Sequence, residues 1–326
     1  MSSMTRAGAN ISQSAKSSLA EEDRLQLRLP ATSANLGPGF DTLALALTLS
    51  LQIDASRSPQ FSLKATGRNA DICSSLQRNL MLDVYEQTLQ ANEAEVVPLA
   101  IEIHNEIPIG MGCGSSAAAR LAGVALANHF GKLGWTREEI LAEGCRQEGH
   151  PDNAAACWLG GLTVSSMDAG EVRAIKILPA VPWRILLVLP EQPLATTAAR
   201  AILPSTYIQE DVVFNIQKSS LLTAAFALGR GDMLQTAMQD RMHQPFRGEI
   251  CPLLPALLPL SGRGGVLGVA LSGAGPSVLV VTDVGKSIAD VRAAVEERIS
   301  DTGIEILETD IEDRAALVHF GQKMSA

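Results

Sequence analysis

Apolar residues recur with two distinct periods along this chain. Leu25, Leu27 and Leu29 alternate with Gln26 and Arg28, and Leu99, Ile101 and Ile103 alternate with Ala100, Glu102 and His104. A period of two is that of a half-buried strand. Apolar runs predict further strands at Leu43 to Ile53 (one or two), Leu162 to Met167, Trp183 to Leu189, Val266 to Leu271, Ser277 to Thr282 and Ile304 to Thr309. Helical spacing marks Asn79 to Asn92, with Leu80, Leu82, Val84, Tyr85 and Leu89 apolar. Ala117 to Phe130 is small and apolar all round, which predicts a buried helix. Thr136 with Glu139 makes a capping box for a helix ending near Glu148, where Gly149-His150-Pro151 breaks the ladder. Shorter helices are expected at Ala154–Trp158, Thr196–Leu203, Asp211–Leu228, Asp232–Met242 and Ser287–Ser300. Pro30 should end the first strand and open a turn-rich loop, Ala31 to Asp41. Antiparallel-looking strands with interspersed helices predict an α+β fold rather than a repeating βαβ array.

With 326 residues, 46% of them apolar, the chain can bury one large core or two modest ones. The expected boundary lies near Glu171–Val181, giving an N-terminal domain over 23–176 and a C-terminal domain over 177–326. No apolar run approaches the length of a membrane helix. The net charge of −9 comes from interspersed signs, which argues against a nucleic-acid surface. Five scattered cysteines without CxxC spacing read as reduced thiols in a cytoplasmic protein. Residues 1–20 are rich in Ser, Ala and Asn, lack acids and show no apolar period. Residues 1–22 therefore read as a disordered tail, the sparse Arg6 and Lys16 speaking against a transit peptide.

The densest chemistry lies between a predicted strand and a predicted helix, at Pro108-Ile109-Gly110-Met111-Gly112-Cys113-Gly114-Ser115-Ser116. Glycines let a backbone curl close to a phosphate because no Cβ intervenes. Ser115 and Ser116 sit where an N-cap should be, so free amides and the positive dipole end would face an anion. A serine hydroxyl there can also reach a nucleotide-borne Mg²⁺. No GK[ST] follows, so this is not a Walker A loop. On its own the stretch reads equally well as a tight strand-to-helix turn.

PIGMGCGSSAAA resembles the second motif of the GHMP small-molecule kinases. ATSANLGPGFD, Ala31 to Asp41, resembles that superfamily's first motif in its homoserine kinase form, and VALSGAGPSVLVV, Val269 to Val281, resembles the third. EGHPDNAAACWLGG, Glu148 to Gly161, is similar to the stretch that homoserine kinases carry between the second and third motifs. The likeness runs in order from about Leu25 to Asp310. Cys113 replaces the usual Leu, and Met111 stands where Lys or Ser is common, but no phosphate-facing glycine or serine is lost.

This resemblance implies a two-domain GHMP kinase fold. Its N-terminal domain carries a left-handed βαβ crossover, against the usual rule, and its C-terminal domain is a ferredoxin-like α/β plait. It implies an ATP-dependent phosphotransferase that uses Mg²⁺, takes L-homoserine, engages neither nucleic acid nor membrane, and belongs to a family in which homodimers are common. Nucleotide binding would fall to Asn79, Pro108, Gly110, Gly112, Gly114, Ser115, Ser116 and Ala117. Glu148 with Ser116, or Ser115, would hold the metal, Glu143 being the second choice of carboxylate. Asn35, Asp41, His150, Arg200 and Arg247 would bind the amino acid, arginine's planar fork suiting its carboxylate. Asn153 would orient the hydroxyl, with Arg200 and, in a supporting role, Asp152 beside it. Alternatives are the same chemistry on threonine, mevalonate or a sugar, and a sensor that kept the fold and lost catalysis.

Overall fold

The computed structural model describes residues 23–299 and 303–320, so the tail expected over 1–22 lies outside the described residues. Strands β1 (Arg24–Asn35), β2 (Gly39–Arg57) and β3 (Ser62–Gly67) open the chain. Helices α1 (Ala70–Cys73) and α2 (Leu80–Ala91) precede β4 (Leu99–Asn105). Next come α3 (Ser115–Phe130), α4 (Arg137–Glu148), α5 (Asp152–Leu159), β5 (Leu162–Asp168) and β6 (Glu171–Ile177). The second half holds β7 (Arg184–Leu189), α6 (Thr196–Ala201), α7 (Gln209–Leu228), α8 (Leu234–Ala237), α9 (Gln244–Arg247) and α10 (Leu253–Leu257). It continues with β8 (Val266–Leu271), β9 (Val278–Thr282), α11 (Ile288–Glu296), β10 (Glu305–Asp310) and β11 (Leu317–Phe320).

Two sheets organise these elements. The first has seven strands, ordered β11-β1-β2-β4-β3, with β5 also on β2 and β6 on β5. One long strand serves two neighbours. Leu43 to Leu45 of β2 pair with β5, and Leu51 to Arg57 pair with β4. β3 and β4 run parallel, joined through α1 and α2, as a βαβ crossover requires. The second sheet is antiparallel, ordered β10-β7-β9-β8. Its four strands in chain order thus lie 4-1-3-2, the plait expected of the C-terminal half. The last strand, β11, returns to the first sheet and pairs with β1.

Helix α3 sits at the centre of the first layer. Ala117, Ala118, Leu121, Ala122, Val124, Ala125, Leu126 and Ala127 are all buried. Small residues let its neighbours approach closely. A Cβ on Gly123 would lie 2.5 Å from the Met81 carbonyl oxygen on α2. The capping box on α4 forms in both directions, Thr136 Oγ1 accepting from Glu139 N at 3.2 Å and Glu139 accepting from Thr136 N at 2.7 Å.

Two expectations are corrected. Pro30 does not end β1, which runs on to Asn35. The pairing with β2 shifts register between Pro30 and Ala31, and such an irregularity accommodates a residue that has no N–H to donate. The loop expected over Ala31–Asp41 therefore shrinks to a turn at residues 36–38. The helix expected over Asp232–Met242 reduces to a 3₁₀ turn and the single turn of α8. Buried Asp240 accepts from the backbone N–H groups of Met242, His243 and Gln244 at 3.0, 2.9 and 2.6 Å, taking donors a helix would have used.

Glu312 ties the returning segment to β1. Its side chain is 2% exposed and accepts from Arg28 at 2.6 Å and Arg314 at 3.0 Å. Burial alone would raise its pKa, but the bonds from Arg314 and Arg28 outweigh it and hold the carboxyl at about 2. A folded-state pKa below the ordinary 4.5 contributes stability that is complete above that value and lost as pH falls towards 2. Glu312→Gln should therefore cost about 1–3 kcal/mol at neutral pH. Urea titrations repeated from pH 7 to 3 should show a shallower acid-side loss in the variant than in the wild type.

Candidate active site

A cleft of about 390 Å³ runs between the two layers, and most of the motif residues line it. Its floor is the glycine loop. Gly110, Gly112 and Gly114 adopt φ values of 74°, 71° and 73°, and Gly114, not Ser115 or Ser116 as expected, is the N-cap of α3. The first amides of a sixteen-residue helix therefore point into the cleft with its positive dipole end. The loop is clamped from behind. Thr32 N donates to Cys113 O at 3.0 Å, and Ser272 Oγ donates to Gly112 O at 2.8 Å. Burial pushes the Cys113 thiol up to about 12, so it stays a neutral packing group.

At the loop's serine end, Ser116 Oγ donates to Glu148 Oε2 at 3.1 Å. Glu148 is the last residue of α4, and Arg120 pairs with the same oxygen at 3.0 Å. Arg120 also donates to Ser116 Oγ and, through Nε, to the Gln147 carbonyl at 3.2 Å. Glu143 faces elsewhere, accepting from Arg146 and Gln147, and does not line the cleft.

Beyond Glu148 the chain turns at Gly149 and brings His150, Asp152 and Asn153 into the cleft. His150 Nδ1 lies 2.6 Å from Asp152 Oδ1, which also accepts from Asn153 N at 2.7 Å. Burial works against a charged His150, yet the bond and charge of Asp152, with Asp41 and Glu148, leave its pKa raised. Asp41, His150 and Asp152 bring one ligand atom each within 4.8 Å of one another. Asn153 Oδ1 accepts from Thr32 Oγ1 at 2.7 Å. Arg200 meets Asp41 with both fork nitrogens, at 2.7 and 3.0 Å, a bond that raises the pKa of Arg200 further. Asn35 is buried, donates to Gly273 O at 2.8 Å and accepts from Asp41 N at 3.0 Å. Asn35 and Asp41 both take left-handed φ, 69° and 52°, which these side chains tolerate better than most.

Arg247 is 1% exposed and held from three sides. Its Nε donates to Ala199 O at 3.2 Å, and its Nη1 to His243 Nδ1 at 3.1 Å and Gly273 O at 3.3 Å. Nη2 has no protein partner among the described residues. Burial, then the charge of Arg200, lowers the pKa of this guanidinium. Burial likewise keeps His243 neutral, its Nε2–H donating to Gly37 O at 2.7 Å.

Asn35, Asp41, Asn79, the three loop glycines, Ser115, Ser116, Glu148, His150, Asp152, Asn153, Arg200 and Arg247 thus share one cleft. Pro108 and Ala117 are buried behind it and do not line it. Asn79 serves as the cap of α2, accepting from Leu82 N at 3.3 Å. Ile72, Leu80 and Ile109 give the neighbouring end an apolar lining. Thr32, Arg120 and Gly273 escaped the sequence reading. Thr32 and Gly273 lay inside recognised motifs, whereas Arg120 carried no signal beyond its place one turn after Ser116.

Two family models match the chain: GHMP kinases N terminal domain over residues 79–161, and GHMP kinases C terminal over 222–301. The homoserine kinase of Solibacter usitatus is 45% identical over 260 residues, covering 79% of this chain and 85% of its own. This chain belongs to the homoserine kinases. That of Carboxydothermus hydrogenoformans is 34% identical over 292 residues, covering 89% and 95%. A crystal structure of the Cytophaga hutchinsonii homoserine kinase superposes with a TM-score of 0.75 at 22% identity, covering 91% and 97%. The two-domain GHMP fold of the homoserine kinases accounts for both sheets and the cleft between them.

Space decides what the loop tolerates. A Cβ on Gly114 would lie 1.9 Å from Thr32 Oγ1, the atom bonded to Asn153, and its φ is left-handed. Gly114→Val should destabilise the loop by about 2–5 kcal/mol and abolish nucleotide binding in calorimetric titrations with ADP. Wild-type affinity in that variant would move the phosphate site elsewhere.

Proposed function

We propose that this chain transfers the γ-phosphoryl group of ATP to the side-chain hydroxyl of L-homoserine, giving O-phospho-L-homoserine and ADP. One observation carries the assignment. The cleft that holds the glycine loop also holds a complement to a zwitterion, the Asp41–Arg200 pair beside the spare Nη2 of buried Arg247. Asp41, with Asn35 fixing it, would take the α-ammonium. Arg247 Nη2 and Arg200 would take the α-carboxylate. The hydroxyl would then point back along His150 and Asn153 towards the loop.

The glycine loop and the amides of α3 would carry the phosphates, and the apolar end near Leu80 the base. Ser116 Oγ and the Glu148 carboxylate are hard oxygen donors brought together beside the glycine loop, which fits a Mg²⁺ site. Magnesium there would neutralise phosphate charge. The hydroxyl oxygen forms the new bond to γ-phosphorus as the bond to the β–γ bridging oxygen breaks. Asp152 Oδ1 is already committed to His150 and Asn153, so it suits a positioning role better than that of a base. The proton would leave through a γ-phosphate oxygen, with positioning and charge supplying the catalysis. Five free thiols are compatible with a cytoplasmic setting, and no described helix is long and apolar enough to cross a membrane.

A coupled ADP-release assay over amino acids, mevalonate and sugars should find L-homoserine turned over best. Robust turnover of mevalonate or a sugar, with none of homoserine, would overturn the assignment. Arg247→Leu should raise the homoserine KM by about 100-fold or more, because an unpaired carboxylate in a closed site costs several kcal/mol. ADP binding should stay near normal, since no loop contact is lost. Glu148→Gln should cut kcat by orders of magnitude and leave the circular dichroism spectrum unchanged.

A further inference from the structure

Arg120 has no place in the reaction derived above, yet its guanidinium sits against both oxygen donors of the candidate metal site. It pairs with Glu148 Oε2 at 3.0 Å and donates to Ser116 Oγ. Nε is anchored to the carbonyl of Gln147 at 3.2 Å, so the group is held in place rather than brushing past. The side chains of Arg120 and Glu148 are 23% and 11% exposed, and a pair this sheltered is only partly screened by water.

The placement follows from the helices. Arg120 lies four residues after Ser116 on α3, one turn along the same face. Glu148 closes α4, where the dipole disfavours a carboxylate unless a cation stands by. Arg120 supplies that cation, and its Nε also satisfies one of the carbonyls left open at the end of α4. The same arrangement opposes a divalent ion. A metal on Glu148 and Ser116 would meet a guanidinium within hydrogen-bond distance of both ligands, and like charges that close repel strongly in a sheltered site.

We infer that Arg120 is an internal cation that competes with Mg²⁺ for Glu148 and Ser116, so that metal-nucleotide entry requires the guanidinium to yield its place. This inference rests on the metal reading given under the proposed function. Competition of this kind sets a threshold. Part of the metal's binding energy goes into displacing Arg120, and the apparent metal affinity is weaker than the two oxygen donors alone would give. The displaced guanidinium stays within a turn of the loop, on the helix whose N-terminus faces the phosphates.

Calorimetric titrations with ADP over a series of Mg²⁺ concentrations test this without turnover. Arg120→Met should bind ADP at a metal concentration roughly two- to fivefold lower than wild type, the range that a partly exposed ion pair supports. Its affinity for ADP without metal should not improve. Arg120→Gln, whose amide can still donate to the Gln147 carbonyl, should show the same shift and covers the case in which the methionine variant does not fold. An unchanged or higher metal requirement in the folded variants would overturn the inference, the higher value making Arg120 an aid to binding. Glu148→Gln separates the two layers of the argument. If it raises the metal requirement while the Arg120 variants do not lower it, only the competition falls. If it leaves the requirement unchanged, the metal reading falls and the competition with it.

Discussion

At Gly112 three distant parts of the chain come within backbone contact. A Cβ there would lie 2.2 Å from the Ser272 carbonyl oxygen and 2.8 Å from that of Gly275. Ser272 Oγ bridges Gly112 O to Ser33 Oγ, and Gly273 N donates to Ala34 O at 3.1 Å. The end of β1, the loop before α3 and the turn before β9 are thus fastened main chain to main chain. No side chain could be inserted without parting them. The dipole end of α3 is aimed by this contact, and so is the wall opposite it, because Gly273 also accepts from Asn35 and Arg247. The glycine loop and the wall opposite it share one fastening.

Charge is laid out around that fastening in pairs, as burial demands. Arg200 answers Asp41, His150 answers Asp152, and Arg120 answers Glu148. Arg247 is the exception. Its direct partners are a neutral histidine, two carbonyls and the Phe40 ring, whose centroid lies 5.4 Å from the guanidinium carbon, so no anion compensates its charge directly. The carboxylate of Asp240 lies one step further, 3.6 Å from His243 Nε2. A buried guanidinium with a spare nitrogen and no carboxylate of its own is what a substrate carboxylate would complete. The pair Asp41–Arg200 differs in being half exposed, with partners able to part and receive the two ends of a zwitterion.

Much of this was legible in the residues. Alternation found β1 and β4, apolar runs found β2, β5, β7, β8, β9 and β10, and the capping box at Thr136 placed α4 and brought Glu148 to its end. The glycine–serine run announced the N-terminus of α3. What escaped reading was long-range. The persistence of β1 through Pro30 depends on the register of β2, which a local proline rule does not include. The shortening near Asp240 depends on a carboxylate finding backbone donors, a contest no hydrophobic period records. β11 is four residues long and pairs with β1 from the far end of the chain, just as Glu312 reaches Arg28, 284 residues away in sequence. Arg120 was passed over because a cation on a mostly buried helix has no motif to mark it. Only the arrival of the end of α4 beside α3 makes it an opponent of a metal.

One covalent detail joins the two halves of the proposed reaction. Glu148 closes α4, Gly149 turns the chain at φ 84°, and His150 and Asp152 follow at once in the cleft. Two residues apart, Glu148 and His150 can have Cα atoms at most about 7 Å from each other. Glu148 and the His150–Asp152 pair are therefore spaced by a single turn of the chain. That turn is held from both directions. Glu148 is fixed to α3 through Ser116 and Arg120, and Asp152 Oδ1 gathers His150 and Asn153 on α5. Phosphoryl transfer asks for two oxygens held in line across one phosphorus, and the tolerance is a fraction of an ångström. A tight turn of fixed length meets that demand more reliably than two surfaces free to slide.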